Sequence, residues 1–162
     1  MITTAPLTIA NLHNPQFLAF LANFDNEFRD NKLINTAPWC HLKHTHFSAT
    51  VYKKNSDIVG VRVTSCYPDS EHLNFLYIDK KNRGCGLGQE MMNDWVNESS
   101  HSLLTIHVKK SLTRTLYFYQ QLGFNVIEQS SPPPLLSNWI TRCVAFNPAT
   151  YIGVELMAMN RF

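Results

Sequence analysis

The sequence predicts an α/β (α+β) fold, a mixed central sheet of about six to seven strands flanked by helices. Two observations carry this prediction. Apolar or alternating runs of strand length recur along the chain, and between them lie longer runs whose apolar residues repeat at helical spacing. With 162 residues, the chain is expected to form a single domain over 1–162 with a substantial hydrophobic core.

The elements of the first half are predicted from periodicity and from turn residues. In chain order they are a strand over Leu7–Leu12, a helix over 15–30, a mixed stretch over 31–46 and a hairpin of 47–53 with 57–66. Asn14 or Asn11 is the predicted helix cap, and Pro15 suits the first helical position. The stretch before the hairpin has room for a short second helix.

The second half alternates strands with amphipathic helices. In chain order these are a strand over His72–Ile78, a helix over Gly86–Glu98, a strand over Leu103–Val108, a helix over 112–122 and strands over Phe124–Glu128 and Val154–Met159. Apolar residues of each predicted helix collect on one face, which is typical of a helix lying on a sheet.

The composition excludes several classes of protein. Hydrophobic residues make up 44% and aromatic residues 12% of the chain, values that exclude a disordered protein. The formal net charge is +2 and the basic residues are scattered, so no nucleic-acid partner is predicted. No apolar run reaches the ~18 residues of a membrane-spanning helix, so no membrane partner is predicted either.

The cysteines and the first residues indicate a reducing compartment. Cys40, Cys66, Cys85 and Cys143 show no C-x-x-C pairing. The start of the chain lacks the basic and apolar parts of a signal peptide. We therefore expect a cytoplasmic protein with free thiols.

The most informative stretch joins the strand His72–Ile78 to the helix that follows it. It reads D-K-K-N-R-G-C-G-L-G, from Asp79 to Gly88. Glycine lets backbone N–H groups approach a ligand closely, and a helix start adds unsatisfied donors and a positive dipole end. Together with the charge of Arg83, these features predict a site for a phosphorylated cofactor.

Two common phosphate loops do not fit the spacing. The triphosphate loop G-x-x-x-x-G-K-[ST] is excluded by Gln89, and the dinucleotide fingerprint G-x-G-x-x-G is excluded by Gln89 and Met91. The pattern R-x-x-G-x-G remains, met by Arg83, Gly86 and Gly88. It resembles the acyl-CoA pyrophosphate loop of the GCN5-related N-acetyltransferase (GNAT) family. A tight strand–helix turn without a ligand is the alternative interpretation of the loop alone.

A second motif strengthens this resemblance. The helix predicted over 112–122 closes in Y-x-x-L-G-F, from Tyr119 to Phe124, and Gly123 suits a helix stop. This ending is similar to the second signature of the GNAT family. One position departs from the family, because Leu112 stands where many members carry an asparagine that contacts the cofactor.

The resemblance implies the GNAT fold, with a sheet that splays between its two cofactor-side strands, and acetyl-CoA as cosubstrate. Pantetheine would insert at the splay as a pseudo-strand and bond the backbone of the central strand. The implied cofactor-binding residues are Leu76, Tyr77, Ile78, Arg83, Gly84, Cys85, Gly86, Leu87 and Gly88. The implied reaction moves an acetyl group from sulfur to an amine, and both base and acid catalysis assist it.

The resemblance also implies candidate catalytic residues. Tyr119 matches the tyrosine that lies beside the thioester sulfur, so it is the candidate acid, with packing in the core as the alternative; Tyr117 lies on a different helix face. His72 stands where histone-acetylating members carry a glutamate base, and histidine titrates near neutral pH. Glu71 is the second candidate base. A water chain in place of a direct base is the third alternative.

The segment C-H-L-K-H-T-H, from Cys40 to His46, holds thiol and imidazole groups of the kind that bind zinc. It lacks a second ligand cluster at an ordinary spacing, so no metal is predicted. Lining of the acceptor pocket and ordinary loop histidines are the other interpretations.

The sequence therefore predicts an acetyl-CoA-dependent N-acetyltransferase that acts by direct transfer in a ternary complex. The expected acceptor is a primary amine of a small molecule or a peptide. Two alternatives stay open: a noncatalytic acyl-CoA-binding sensor, which Leu112 favours, and an acetyltransferase acting on a protein or tRNA. The long connection 129–150 is expected to fold over the acceptor side or to join a homodimer interface.

Overall fold

A computed structural model of the chain describes residues 1–7, 13–27, 47–68, 70–127 and 151–160. The strands of these residues are β1 Ile2–Pro6, β2 Phe47–Lys54, β3 Asp57–Cys66, β4 Glu71–Ile78, β5 Leu103–Lys109, β6 Asn125–Val126 and β7 Tyr151–Met157. The α-helices are α1 Pro15–Glu27, α2 Leu87–Glu98 and α3 Thr113–Gln121. Short 3₁₀ turns cover Lys80–Asn82 and Ala158–Asn160. Within the described helices, none is long and apolar enough to cross a membrane.

The strands form a seven-stranded sheet in the order β1-β2-β3-β4-β5-β7-β6. Pairing is antiparallel for β1 with β2, β2 with β3, β5 with β7 and β6 with β7, whereas β4 and β5 are parallel. A parallel pair needs a crossover connection, and α2 lies in the crossover from β4 to β5. This mixed sheet with its helices confirms the predicted α/β (α+β) fold class.

The chain is organised in two compact units. The first unit comprises 1–66 and 74–93, and the second comprises 67–73 and 94–162. The boundary between them passes within β4 and within α2, so both elements contribute residues to each unit. The single domain predicted over 1–162 stays a prediction.

The main core of the first unit lies between α1 and the strands. Asn14 caps α1, since its Oδ1 accepts the backbone N–H of Gln16 at 2.8 Å, which agrees with the predicted cap. The buried apolar side chains of this core are Leu7, Phe17, Phe20, Leu21, Phe24, Ala49, Val51, Val61, Val63 and Tyr77. Burial of one large apolar side chain contributes about 1.5–3 kcal/mol. This packing places the end of α1 beside the end of β4.

A second apolar cluster of the first unit uses the other faces of the hairpin strands. Its buried members are Tyr52, Val59, Leu87 and Met91. Arg62 is buried beside them, and its Nη1 donates to the Met91 carbonyl oxygen at 3.0 Å and to the Tyr52 hydroxyl at 3.1 Å. These contacts hold the first turns of α2 against β2 and β3.

The core of the second unit surrounds Trp95, which is 1% exposed. The Trp95 ring stacks with the ring of Phe124 at 6.2 Å between centroids. Phe124 comes directly after Gly123, whose φ of 99° turns the chain back toward the core. The helix stop predicted at Gly123 is therefore confirmed.

The first described strand lies before the one predicted from the sequence. β1 is Ile2–Pro6, which the sequence pattern did not predict, and residues 8–12 of the predicted strand Leu7–Leu12 lie outside the described residues. Polar and small residues form β1 because it pairs with β2, from Ile2 opposite Lys54 to Pro6 opposite Thr50. Leu7 is instead a core side chain beyond the end of this strand.

Other boundaries differ less. The helix predicted over 15–30 is described as far as Glu27, and β6 is shorter than the predicted Phe124–Glu128 because Phe124 turns into the core. The last strand, predicted over Val154–Met159, is β7, which begins earlier and ends at Met157. The segments 31–46 and 129–150 lie outside the described residues.

Candidate functional site

The connection between β4 and α2 has the backbone conformation that an anion site needs. After the 3₁₀ turn Lys80–Asn82, Gly84 and Gly86 adopt φ angles of 79° and 88°. Side-chain-bearing residues rarely adopt such angles. A Cβ atom at either glycine would meet nothing within 4 Å, so conformation rather than crowding requires glycine at both positions.

The connection leads directly into the first turn of α2. The backbone N–H of Glu90 donates to the Gly86 carbonyl oxygen at 3.0 Å, which is the first i to i−4 bond of this end. The amides before Glu90 therefore have no acceptor inside the helix. Because the positive end of the helix dipole lies at the same place, the arrangement suits a phosphate group.

Arg83 is held by Glu27, the last residue of α1. Its two Nη atoms bond the two carboxylate oxygens of Glu27, with 2.7 Å between Nη2 and Oε2. Its Nε donates to the Ile78 carbonyl oxygen at 3.0 Å, and its guanidinium lies 5.3 Å from the centre of the Tyr77 ring. The hydrogen bonds of the pair lower the pKa of Glu27 and raise the pKa of Arg83. Arg83 thus ties the loop to α1 and to the end of β4.

Tyr77 points into the core of the first unit and not toward open space. It is 4% exposed, and its hydroxyl donates to Glu27 Oε2 at 2.9 Å. Burial, with the hydrogen bond to Glu27, raises the pKa of its phenol. Only the backbone of Tyr77 is therefore a candidate for the predicted contact with the cofactor. The same holds for Leu76 and Ile78, because their side chains pack against the second apolar cluster.

The remaining predicted loop residues divide into exposed and buried ones. Cys85 is exposed and outside any disulfide, and its Sγ donates to the Asn82 carbonyl oxygen at 3.0 Å. This contact closes the turn. Leu87 is buried in the second apolar cluster, so it too offers a ligand its backbone amide. Gly88 lies within the first turn of α2.

Tyr119, the predicted acid, lies on the buried face of α3 in the second unit. It is 6% exposed, whereas Tyr117 is 61% exposed, so the two tyrosines occupy different helix faces as predicted. Burial raises the pKa of Tyr119 to about 12. The phenol therefore keeps its proton at neutral pH, which a proton donor requires. Its role as acid stays a prediction.

His72, the predicted base, is buried in β4 of the second unit and is 2% exposed. Its Nδ1 lies 2.8 Å from Thr105 Oγ1, and its Nε2 lies 2.9 Å from His107 Nδ1. The two imidazole rings are stacked, with 4.9 Å between centroids. Burial lowers the pKa of both rings, and the neighbouring His107 adds to the effect on His72. Both rings are therefore neutral at neutral pH, and the role of His72 as base stays a prediction.

Glu71, the second candidate base, is buried against the C-terminal part of α2. Its Oε2 accepts a hydrogen bond from Trp95 Nε1, and its Oε1 accepts one from Ser99 Oγ at 2.8 Å. His101 Nδ1 lies 3.3 Å from the same Oε1. These hydrogen bonds hold the C-terminal part of α2 against β4 within the second unit. They are a structural reason for a carboxylate at position 71 that requires no catalytic role.

Sequence reasoning missed three side chains that surround these groups. Thr105 lies opposite His72 in the β4–β5 register and opposite Glu155 in the β5–β7 register. Thr105 and His107 alternate with apolar residues along β5, and that period of two was the available signal. Glu27 carried no such signal, because 56 residues separate it from Arg83.

Leu112 and the Cys40–His46 segment are the two remaining features that the sequence analysis singled out. Leu112 is exposed at the start of α3, and its side chain makes no capping hydrogen bond. The Cys40–His46 segment, for which metal binding and acceptor lining were weighed, lies outside the described residues.

Comparison with known proteins relates the chain to one family. Residues 22–133 match the family described as acetyltransferase (GNAT) domain. A search of the curated proteins finds no match. Among solved structures, a GNAT-family acetyltransferase from Staphylococcus aureus Mu50 has a TM-score of 0.70 at 14% identity, covering 97% of this chain and 99% of that chain.

Two further solved structures share the fold. The ribosomal-protein-S18-alanine N-acetyltransferase from Escherichia coli has a TM-score of 0.64 at 16% identity, covering 97% of this chain and 94% of that chain. A GNAT-family acetyltransferase from Elizabethkingia anophelis with acetyl-CoA bound has a TM-score of 0.60 at 20% identity, covering 96% of this chain and 97% of that chain. At these identities the likeness is one of fold.

Proposed function

The chain belongs to the GNAT acetyltransferase family, and on that premise we propose that it is an acetyl-CoA-dependent N-acetyltransferase. The proposed acceptor is a primary amine of a small molecule or a peptide. The observation that carries the proposal is the β4–α2 connection, in which Gly84 and Gly86 take positive φ angles directly before a helix start. Acetyl-CoA in the Elizabethkingia anophelis structure and the alanine acceptor named for the Escherichia coli enzyme agree with it.

The loop backbone is the proposed holder of the CoA pyrophosphate. The amides from Gly86 to Gln89 lack helical acceptors, and each can donate to a phosphate oxygen. Arg83 would keep the loop in this conformation through its bonds to Glu27 and to the Ile78 carbonyl oxygen. The backbone of Leu76–Ile78 is the proposed partner of pantetheine, since the side chain of Tyr77 is committed to the core.

Two proton transfers accompany the proposed reaction. The acceptor ammonium first loses a proton, and the proposed base is the neutral ring of His72 together with the ring of His107, whose Nδ1 lies 2.9 Å from His72 Nε2. The amine nitrogen then forms a bond to the thioester carbon, and the carbon–sulfur bond breaks. Tyr119 is the proposed donor to the leaving thiolate, and its phenol regains a proton from the attacking nitrogen.

A noncatalytic acyl-CoA sensor is the second candidate function. Leu112 favours it, because an apolar side chain stands at the start of α3 where many family members place a cofactor contact. Tyr119 on the buried face of α3 favours the enzyme. Both functions need the same loop, so cofactor binding alone does not separate them.

The test is acetyl transfer from acetyl-CoA to a panel of amines, followed by thiol release and by mass detection of the product. The panel contains polyamines, amino sugars, peptides with different N-terminal residues and aminoacyl-tRNA. Transfer to one class identifies the acceptor. Binding of acetyl-CoA by calorimetry without transfer to any member would instead support the sensor, and absence of binding would reject both functions.

A further inference from the structure

We propose that His72 and His107 act together as one base, in which His107 takes the proton from the acceptor amine and His72 orients it. The proposal rests on the proposed acetyl transfer and assigns the proton to a residue outside the sequence motifs. Its basis is the Nε2–Nδ1 contact of 2.9 Å between the two rings, within the second unit. His107 is the catalytic residue of this pair, and His72 is a positioning residue.

His72 is poorly placed to meet a substrate by itself. It is 2% exposed, and each of its ring nitrogens lies within hydrogen-bond distance of another side chain. His107 is the less buried of the two rings. A proton that enters the pair from an amine therefore enters through His107.

We assign to the pair the tautomer that leaves a basic ring nitrogen for the proton of the amine. A neutral imidazole has one N–H and one basic nitrogen. When His72 carries its proton on Nδ1 and donates to Thr105 Oγ1, its Nε2 accepts the Nδ1–H of His107. His107 then has its basic lone pair on Nε2, the nitrogen directed away from His72. In this tautomer the buried Thr105 hydroxyl, which can donate or accept, accepts the Nδ1–H of His72.

A carboxyl group on the neighbouring strand lies on the same face of the sheet as the histidine pair. Glu155 lies opposite Thr105 in the β5–β7 register, and Gly153 lies opposite His107. Side chains at Thr105, His107 and Glu155 share one face of the sheet by strand alternation. Glu155 Oε2 is buried and has no hydrogen-bond partner among the described residues, and burial raises the pKa of this carboxyl. An imidazolium on the same face would favour its ionised form, and the carboxylate would stabilise the imidazolium in return.

The proton inventory of the step is balanced. The acceptor ammonium gives one proton to His107 Nε2, and the Nδ1 proton of His107 is then shared with His72 Nε2. The amine attacks the thioester carbon, sulfur leaves with the proton of Tyr119, and the phenol recovers a proton from nitrogen. The histidine pair afterwards releases its proton to solvent, so each cycle releases one proton, as acetylation of an ammonium requires.

The first experiment separates proton acceptance from orientation. His107→Asn keeps an amide nitrogen at the place of Nδ1, and so keeps the hydrogen bond to His72, but it has no counterpart of Nε2. We expect turnover to fall by roughly 10²-fold with unchanged acetyl-CoA affinity. Turnover of His107→Phe, which keeps an aromatic ring without nitrogen atoms, should fall by the same factor. His13→Asn, a change at an exposed histidine, is the matched control.

Turnover of His107→Asn close to the wild-type rate would overturn the proposal, above all if His107→Phe is inactive, because His107 would then only orient His72. Absence of transfer by the wild-type protein would overturn the proposed function itself. The two failures are thus distinguishable within one set of assays.

The second experiment needs no turnover. Nitrogen-15 spectra of the histidine rings in the wild-type protein should show both His72 and His107 protonated on Nδ1. A His107 ring protonated on Nε2 would overturn the proposal, because that nitrogen could not accept the proton of the amine. This readout remains decisive even if the variants fold poorly.

Discussion

Arg83 and Glu27 are joined by two hydrogen bonds across 56 residues of sequence, and together they tie the β4–α2 connection to the end of α1. An exposed ion pair alone contributes about 0.2–1 kcal/mol to stability. This pair is also fixed by the Tyr77 hydroxyl and the Ile78 carbonyl, so its main effect is on the geometry of the loop. Because Glu27 balances the guanidinium charge, we expect the loop amides to supply most of the attraction for a phosphate group.

A change at Arg83 tests this arrangement. Arg83→Ala should weaken acetyl-CoA binding by about 1–3 kcal/mol, because it removes the charge-assisted hydrogen bonds that hold the loop in place. The lost charge leaves the Glu27 carboxylate unbalanced beside the loop, so Arg83→Ala combined with Glu27→Gln should recover part of the affinity. Calorimetry on the single and double variants measures both effects. Unchanged affinity in Arg83→Ala would remove Arg83 from the cofactor site.

A glycine substitution tests the loop conformation. Gly86→Ala places a side chain at a φ of 88° and should destabilise the protein by about 1–2 kcal/mol, with weaker acetyl-CoA binding. Gly88→Ala is the matched change inside the helix, where alanine is favoured, and should leave the thermal midpoint unchanged or higher. Thermal denaturation with and without CoA compares the two variants. Equal midpoints would show that the loop tolerates another conformation.

Tyr119→Phe tests the proposed acid. Turnover should fall by roughly 10²-fold because the hydroxyl acts mainly in the transition state, while acetyl-CoA affinity stays the same because the ring still packs. With a pKa of about 12, Tyr119 should cause no decline in rate between neutral pH and about pH 10. Tyr117→Phe, on the exposed face, is the control. A matched loss of affinity and rate would instead show that Tyr119 packs against the cofactor and does not act as the acid.

The histidine pair should make the protein sensitive to mild acid. Burial lowers the pKa of His72 and His107 in the folded protein, whereas histidines of the unfolded chain have a pKa of about 6.5. Just below pH 6.5 the unfolded chain therefore binds more protons than the folded one. The contribution of the two rings to the free energy of unfolding is complete above that pH and decreases as the pH falls toward 5. Glu27, with its lowered pKa, loses its contribution only at lower pH, below the ordinary carboxyl range.

The thermal midpoint measured between about pH 7 and pH 5.5 checks this prediction. His107→Asn should have a shallower pH slope than the wild-type protein, because one buried titrating ring is gone. His13→Asn should have the wild-type slope, since that ring is exposed. An identical slope for all three proteins would contradict the prediction.

Local features were predictable from the sequence. The Asn14 cap, the hairpin of 47–53 with 57–66 and the stop at Gly123 depend on residues close in sequence, and each matches the structure. The fold class was predictable for the same reason, since periodicity reports the type of each element. The position of β1 was not, because its partner β2 holds a polar segment extended against the local hydrophobic pattern.

The sequence by itself determined the order of the elements, the loop that suits a phosphate and the motif around Tyr119, because each is written in short-range spacing. Only the tertiary structure decided that Arg83 pairs with Glu27 and that His72 pairs with His107. Such partners depend on which strands and helices become neighbours and in which register. Residue spacing shows the face on which a side chain lies, but the packing of distant elements chooses what it meets.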